Sequence, residues 1–179
     1  NYEKVKNNSI AINMLSPTYA GLTTNVEYEF LTGESVNFFS ENYIPYNSLY
    51  TSNKFSNYPS NIKTLNKSNY QTEIYSPFDN GRVYNVSSVY KYIGFNNIYL
   101  KNDLLQDNNI KGSNISDEFL YQIAKERLEE EDKNLFLFLK TAQNHMPYKN
   151  DKYTDFDINV VSSSLSEEET LRTKIFAQG

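Results

Sequence analysis

The sequence predicts an α/β fold with a mostly parallel sheet, and three observations favour it. Helical and strand patterns alternate from about residue 22 to residue 141, which is the order typical of α/β proteins. Residues 135–139, LFLFL, form a continuous apolar run of the kind found in strands that are buried on both faces. Polar residues follow this run directly, at the end of the strand where open α/β folds bind their ligands.

The first predicted helix lies within TTNVEYEFLTG, residues 23–33. Thr23 or Thr24 is expected to cap it, with an acidic residue in the first turn and Gly33 at its end. As a cap, one threonine contributes about 1 kcal/mol, and replacing Thr24 by Ala would cost about 0.5–2 kcal/mol of stability. The alternative interpretation is chemical. Free N–H groups at a helix N-terminus favour phosphate or sulfate, and a threonine hydroxyl activated by a base or a metal ion could attack such an anion.

Two helix–strand units follow this helix. Residues 61–78 predict a short helix and then a strand near Tyr70–Tyr75. Residues 85–100 predict a helix that ends at Gly94 and a strand near Asn97–Leu100. The repeated order of helix and strand predicts that these strands join the strand at 135–139 in one sheet.

Two further helices are predicted in the second half of the chain. The clearest pattern is 116–131, with Ser116 or Asp117 as its cap and apolar residues at helical spacing. Residues 165–179 predict an amphipathic helix capped by Ser164 or Ser166. Because no strand follows this helix, we expect the fold to be incomplete.

Composition narrows the classes of function. A length of 179 residues suits one domain. The net charge of −5 without a basic stripe argues against nucleic acid as a partner. No run approaches the roughly 18–20 apolar residues of a membrane span, and the first ten residues lack the apolar centre of a signal peptide. The absence of cysteine excludes disulfides and thiolate chemistry. Sixteen tyrosines and many asparagines leave open a carbohydrate-binding or adhesive module.

The chain has one histidine, His145, in KTAQNHMPY. A lone histidine usually has a structural role or lies on the surface. His145, however, comes just after the best predicted strand and before the Met146–Pro147 turn, which favours the edge of a pocket. Since Thr23 also begins a helix at the carboxyl edge of the predicted sheet, we expect both side chains to face one cleft.

Four segments resemble, in order, the motifs of the lipoteichoic acid synthase family, which are sulfatase-like phosphoglycerol transferases of Gram-positive cell surfaces. They are PTYAGLTTNVEYEFLTG, IPY at 44–46, YSPFDNGRVYNVSSVYKYIGF and LKTAQNHMPY. The first resembles the family pattern Gly-x-Thr-x-x-x-Glu with a following Leu-Thr-Gly, and the last resembles Asn-His-x-Pro-Tyr. The four segments span residues 17 to 148. LSPTYAG lacks the Cys/Ser-x-Pro-x-Arg motif of formylglycine enzymes, which argues against a true arylsulfatase.

The resemblance implies a three-layer α/β/α sandwich like that of alkaline phosphatases and sulfatases, incomplete at both ends, with residues 1–179 as a single partial domain. It implies that Thr23 is both nucleophile and metal ligand, and that His145 contacts the phosphoglycerol head group. The implied ion is Mn²⁺ or Mg²⁺, with its other ligands outside this chain. The parent protein would be anchored in the membrane, with this domain at the extracellular face.

Two positions depart from the family pattern. Ser76-Pro77 stands where the family has His-Pro, and Tyr84-Asn85-Val86 stands where it has an aromatic residue, Asn and Arg. Valine cannot clamp a phosphate as arginine does. Arg82 is expected as an alternative hydrogen-bond donor to the phosphate. Tyr84 is expected as a further contact to the substrate.

The function expected from these residues is transfer or hydrolysis of a glycerophosphate lipid or polymer through a covalent phosphothreonine at Thr23. The alternatives are a non-catalytic relative with the same fold, or a surface-binding module. Since three of the four expected metal ligands lie outside the chain, we expect residues 1–179 alone to bind manganese weakly. Tight binding would instead indicate local acids such as Glu27 or Glu29.

Overall fold

The structure is a computed structural model that describes residues 15–16, 21–49, 57–78, 83–130 and 133–179. All the helices and strands that the sequence predicts are present. In chain order the elements are α1 (Thr23–Thr32), α2 (Pro45–Ser48), α3 (Asn61–Lys67), β1 (Tyr70–Ser76), α4 (Val86–Ile93), β2 (Asn97–Leu100), α5 (Lys101–Leu104), β3 (Ile110–Lys111), β4 (Asn114–Ile115), α6 (Asp117–Glu130), β5 (Asn134–Leu139) and α7 (Glu167–Gln178). Short 3-10 turns lie at Val36–Phe38 and Val83–Asn85.

The main sheet has three strands in the order β2-β1-β5, and both pairings are parallel. Ile74 of the central strand lies opposite Ile98 on one side and Phe138 on the other. The predicted α/β class with a parallel sheet is therefore confirmed. The antiparallel pair of β3 and β4 was not expected from the sequence.

Apolar side chains cover both faces of this sheet, which gives three layers. On one face, Ile74 packs with residues of α1 to α4, such as Leu31 and Val89. On the other face, Tyr75 packs with Leu120 of α6 and with residues near β4 and α5. Successive side chains of a strand point to opposite faces, so Ile74 and Tyr75 belong to different layers of the core.

The strand at 134–139 differs from its prediction. Residues 135–139 are only half-buried, although the apolar run predicts burial on both faces. The strand that is buried throughout its second half is β1, because it has a partner on each side. Among the strands that the structure describes, β5 pairs with β1 alone, and this edge position explains its greater exposure.

The predicted helix ends are correct at several positions. Gly33 and Gly94 end α1 and α4 with positive φ values of 79° and 109°, which glycine adopts without steric cost. The Ser116 side chain accepts a hydrogen bond from the backbone N–H of Phe119 in the first turn of α6. Ser166 caps α7 in a reciprocal arrangement with Glu169. The predicted amphipathic character of α7 is wrong, since Ile175 is its one buried residue in the structure.

The predicted threonine cap of α1 is also wrong. The residue at the cap position is Leu22, in the left-handed region at φ 57° and without a side-chain cap bond. Thr23 and Thr24 are the first two helical residues, and the first turn holds no acidic residue. None of the helices that the structure describes is both long and apolar enough to cross a membrane.

Candidate active site

Three segments meet at the carboxyl edge of the sheet. Thr23 begins α1, Phe78 lies two residues after β1, and Lys140 to His145 follow β5. Because β1 and β5 are parallel, the segments that follow them emerge at the same edge. This is the position at which open α/β folds bind ligands.

Two neighbouring cavities lie at this edge, of about 480 and 350 Å³. Five residues line both of them: Thr23, Glu27, Phe78, Lys140 and His145. The structure thus brings Thr23 and His145 to the same cleft, although most of the described chain separates them in sequence. It does not assign a role to either residue.

Thr23 and Thr24 have different surroundings. Thr23 is exposed and lines both cavities. Thr24 is 5 % exposed, and its Oγ1 has no hydrogen-bond partner among the described residues. Since Thr23 is the first residue of a ten-residue helix, free backbone N–H groups and the positive end of the helix dipole lie beside its hydroxyl. An anion at this place would be stabilised by both.

The His145 ring is fixed in orientation. Its Nδ1 lies 2.7 Å from the backbone oxygen of Met146, and its ring meets that of Phe78 edge-on at a centroid distance of 4.9 Å. A carbonyl oxygen can only accept, so Nδ1 carries the proton in this hydrogen bond. In the neutral ring Nε2 is then an acceptor, and in the protonated ring it is a donor.

The backbone around His145 is held by hydrogen bonds from three directions. The His145 N–H donates to Ala142 O at 3.0 Å, and the Lys152 ammonium donates to His145 O at 2.7 Å. The Tyr148 hydroxyl donates to Asn144 O at 3.0 Å. Lys152 is 4 % exposed, and burial lowers the pKa of its ammonium group.

The same loop is tied to the first residue of α6. The Gln143 N–H donates to Asp117 Oδ1 at 3.2 Å, and the Asp117 N–H donates to Gln143 Oε1 at 3.1 Å. These reciprocal bonds join the cleft to the layer of helices on the opposite face of the sheet.

A buried ion pair lies in the wall of the cleft. Lys140 Nζ is 2.7 Å from Glu27 Oε1, with side chains 12 % and 4 % exposed. The hydroxyls of Tyr90 and Tyr46 donate to Glu27 Oε2 at 3.0 and 3.3 Å. Lys140 also donates to the Tyr90 hydroxyl at 3.1 Å. Because Glu27 belongs to α1 and Lys140 follows β5 directly, the pair links the helix of Thr23 to the loop of His145.

Of the other residues predicted for the site, one lines a cavity and one lies outside the described residues. Tyr84 lines the smaller cavity at φ 54°, and Arg82 lies outside the described residues. Val86, at the place where the resemblance implies an arginine, is 3 % exposed and part of the core. Ser76, at the place of the implied histidine, is 1 % exposed.

Sequence reasoning did not identify Lys140 or Phe78 as residues of the cleft. Both follow the carboxyl end of a parallel strand closely, and this signal could have marked them. The sequence suggests Glu27 only as a substitute metal ligand. Its partner could not be found from spacing, because Lys140 lies far away in sequence.

The residues that the structure describes do not by themselves fit a metal ion. No three His, Asp or Glu side chains among them lie close enough to hold one. Glu27 is paired with Lys140, and Glu29 accepts hydrogen bonds from Ser35 Oγ and from the Val36 N–H. Among the described residues, the two glutamates of α1 thus already have partners and are not available to bind a cation beside Thr23.

Comparisons with known sequences and structures found a matching family model, a curated relative and solved structures of similar fold. A model of the sulfatase family matches residues 3–164. A putative cyclic beta-1,2-glucan modification protein of Rhizobium meliloti (strain 1021) is 30% identical over 168 residues, which cover 93% of this chain and 25% of that protein. The chain thus spans about a quarter of this curated relative's length.

Two solved structures are similar in fold. The Streptococcus pyogenes phosphoglycerol transferase GacH, in complex with sn-glycerol-1-phosphate, has a TM-score of 0.70 and 21% identity over 99% of this chain and 45% of that chain. The lipoteichoic acid synthase LtaP from Listeria monocytogenes has a TM-score of 0.64 and 21% identity over 87% of this chain and 37% of that chain. At this identity the likeness shows the fold alone.

Proposed function

The chain belongs to the sulfatase family, and on that premise we propose that it forms part of the catalytic domain of a phosphoglycerol transferase or a related phosphodiesterase or sulfatase. The substrate is a glycerophosphate lipid or polymer of the cell envelope. The full-length protein works at the extracellular face of a membrane in which it is anchored.

The observation that carries this proposal is the shared cleft of Thr23 and His145. Thr23 offers an exposed hydroxyl at a helix N-terminus, where a phosphoryl group is electrostatically favoured. His145 offers Nε2, since its Nδ1 is engaged with Met146 O. A glycerol hydroxyl of the head group donates a hydrogen bond to this nitrogen when the ring is neutral.

The proposed reaction proceeds in two displacements. In the first, Thr23 Oγ1 attacks phosphorus, a new O–P bond forms, and the bond from phosphorus to the leaving alcohol breaks. The leaving oxygen takes up the proton that Thr23 gives up. In the second, the oxygen of an acceptor hydroxyl or water attacks phosphorus and the bond from phosphorus to Thr23 Oγ1 breaks. Thr23 Oγ1 takes up the proton that the acceptor gives up, which restores its hydroxyl.

The names of similar proteins support the choice of substrate. GacH is a phosphoglycerol transferase whose structure contains sn-glycerol-1-phosphate, and the Rhizobium meliloti relative is named for glucan modification. A glycerophosphate donor agrees with the first name, and a carbohydrate acceptor agrees with the second. The acceptor in this chain's reaction is then a sugar hydroxyl, and hydrolysis is the outcome when water takes its place.

The test is replacement of Thr23 by Ala in the full-length protein. Vesicles that contain phosphatidylglycerol serve as donor in a buffer with Mn²⁺, and released or transferred glycerophosphate is measured. The wild type should turn over and form a glycerophosphoryl adduct on Thr23 that mass spectrometry of the peptide detects. Thr23→Ala should abolish both, because the attacking oxygen is gone. Thr64→Ala, at an exposed position of α3, is the matched control and should behave as wild type.

Undiminished turnover in Thr23→Ala would contradict the assignment of the nucleophile. A wild type without turnover or adduct would favour the alternative of a non-catalytic relative or surface-binding module. One observation favours this alternative. Val86 and Ser76 are buried at the positions where the resemblance implies an arginine and a histidine.

A further inference from the structure

Lys140 lines both cavities of the cleft, and not all N–H groups of its ammonium donate a hydrogen bond within the described part of the protein. Among the described lining residues of the two cavities no other lysine or arginine occurs. An ammonium group has three N–H donors. The Tyr90 hydroxyl accepts from one of them at 3.1 Å. Glu27 Oε1 lies 2.7 Å from Nζ as the partner in the ion pair, but outside hydrogen-bond geometry. At least one donor is therefore left for a further acceptor at the cavity wall.

The surroundings hold this ammonium in one place. The Phe78 ring centroid lies 5.1 Å from Nζ, within the range of a favourable cation–π contact. Glu27 is itself fixed by hydroxyls from α2 and α4. The backbone N–H of Lys140 also continues the sheet, donating to Tyr75 O at 3.0 Å. A donor fixed in this way can act on a ligand without a large cost of reorganisation.

Stability alone does not account for the ion pair. Desolvation of two buried charges largely offsets their attraction, and apolar replacements of similar volume are often as stable. A charge kept in the wall of a cavity beside Thr23 is better explained by a bound anion. Charge-assisted hydrogen bonds to phosphate oxygens are among the stronger polar contacts in proteins.

We propose that Lys140 is a substrate-binding catalytic residue that donates a remaining N–H to a non-bridging phosphoryl oxygen. Glu27 and Tyr90 hold the ammonium group while it makes this contact. The inference rests on the proposed function and adds to it a residue that donates a hydrogen bond to the phosphoryl group in the cleft.

The experiment compares Lys140→Met, Glu27→Gln/Lys140→Met and the control Lys91→Met, an exposed lysine of α4, in the full-length protein. Lys140→Met alone leaves Glu27 buried and unpaired, so the protein loses stability for that reason as well. The double variant removes both charges, and the amide oxygen that replaces the carboxylate can still accept from the two tyrosines. Its melting temperature should therefore return towards that of the wild type.

If Lys140 contacts the phosphoryl group, the double variant regains stability but not activity. Its kcat/KM for the phosphodiester should be lower by about 10²-fold, the loss typical of one removed oxyanion donor. Its Kd for inorganic phosphate, measured by calorimetry, should be weaker by about 10–100-fold, as expected for a hydrogen bond to a charged group. Lys91→Met should change neither quantity.

Recovery of both stability and wild-type kcat/KM in the double variant would overturn the inference, because Lys140 would then be only the structural partner of Glu27. Phosphate binding separates this failure from failure of the proposed function. A wild type that binds phosphate through Lys140 but never turns over a phosphodiester would reject the transferase and retain the contact. Equal phosphate affinity in wild type and double variant would reject the contact, whatever the turnover.

Discussion

Two buried threonines of α1 differ in whether their hydroxyl groups have hydrogen-bond partners. Thr32 donates its hydroxyl to Tyr28 O at 2.6 Å and accepts from the Glu34 N–H at 3.2 Å. Thr24 has no such partner for Oγ1 among the described residues. A buried hydroxyl that lacks a partner is destabilising, because it has given up its hydrogen bonds to water.

We expect Thr24→Val to increase the free energy of unfolding by about 1–3 kcal/mol, because it removes an unsatisfied polar group. Urea denaturation of the two proteins measures the difference. This reverses the expectation from the sequence, where Thr24 as a cap would lose stability on replacement.

Thr32→Val is the matched control on the same helix. It leaves the Glu34 N–H without its partner and should cost about 1–3 kcal/mol. Equal effects of the two substitutions would mean that the Thr24 hydroxyl is satisfied in solution.

Helix α6 is joined to the sheet by a polar contact as well as by apolar packing. Glu73 of β1 is fully buried, and the Arg127 guanidinium donates to both of its carboxylate oxygens, at 2.9 and 3.1 Å. Tyr75 and Asn97 donate to the same carboxylate at 2.8 and 3.1 Å. Burial raises the pKa of Glu73, but these hydrogen bonds outweigh it and hold the pKa below its usual range.

We expect Arg127→Met to destabilise the protein by about 3–5 kcal/mol, because it leaves a buried carboxylate without its cation. Arg172→Met is the control. Arg172 pairs with Glu168 across one turn of α7, with side chains 64% and 65% exposed, and such pairs contribute only about 0–1 kcal/mol. Thermal unfolding measures the loss of stability in each variant. Equal losses would show that the buried pair contributes no more to stability than the exposed pair.

Glu73 makes the stability of the whole fold depend on pH. Its pKa is lowered in the folded state, so its contribution to stability is present above the unfolded pKa of about 4.3. That contribution is lost as the pH falls through the lower, folded pKa. In Arg127→Met only the hydrogen bonds from Tyr75 and Asn97 are left to oppose burial, so the pKa of Glu73 rises relative to the wild type and acid relieves part of the penalty.

The stability difference between wild type and Arg127→Met should therefore be largest near neutral pH and shrink below about pH 4. Denaturation curves at a series of pH values test this. A difference that stays constant down to about pH 3, roughly one unit below the ordinary pKa of a glutamate, would mean that Glu73 is not the group that responds.

How much of this could be predicted from the sequence depends on the range of the interaction. The helix 116–131 and the strands at 70–75, 97–100 and 135–139 were correct to within a residue or two, because apolar spacing and helix ends are local signals. The half-burial of β5 depends on strand order, which spacing does not encode. The left-handed Leu22 at the start of α1 and the Glu27–Lys140 pair depend on tertiary contacts, so local rules missed both.

The tethered backbone around His145 has an energetic consequence for any ligand of the cleft. Lys152 donates to His145 O and Tyr148 to Asn144 O, while Gln143 and Asp117 bond reciprocally. Folding has thus already fixed the backbone torsions of this loop, each of which would otherwise cost about 1–2 kcal/mol of conformational entropy to order. A head group that enters the cleft meets a preorganised partner, so more of its contact energy is retained as affinity.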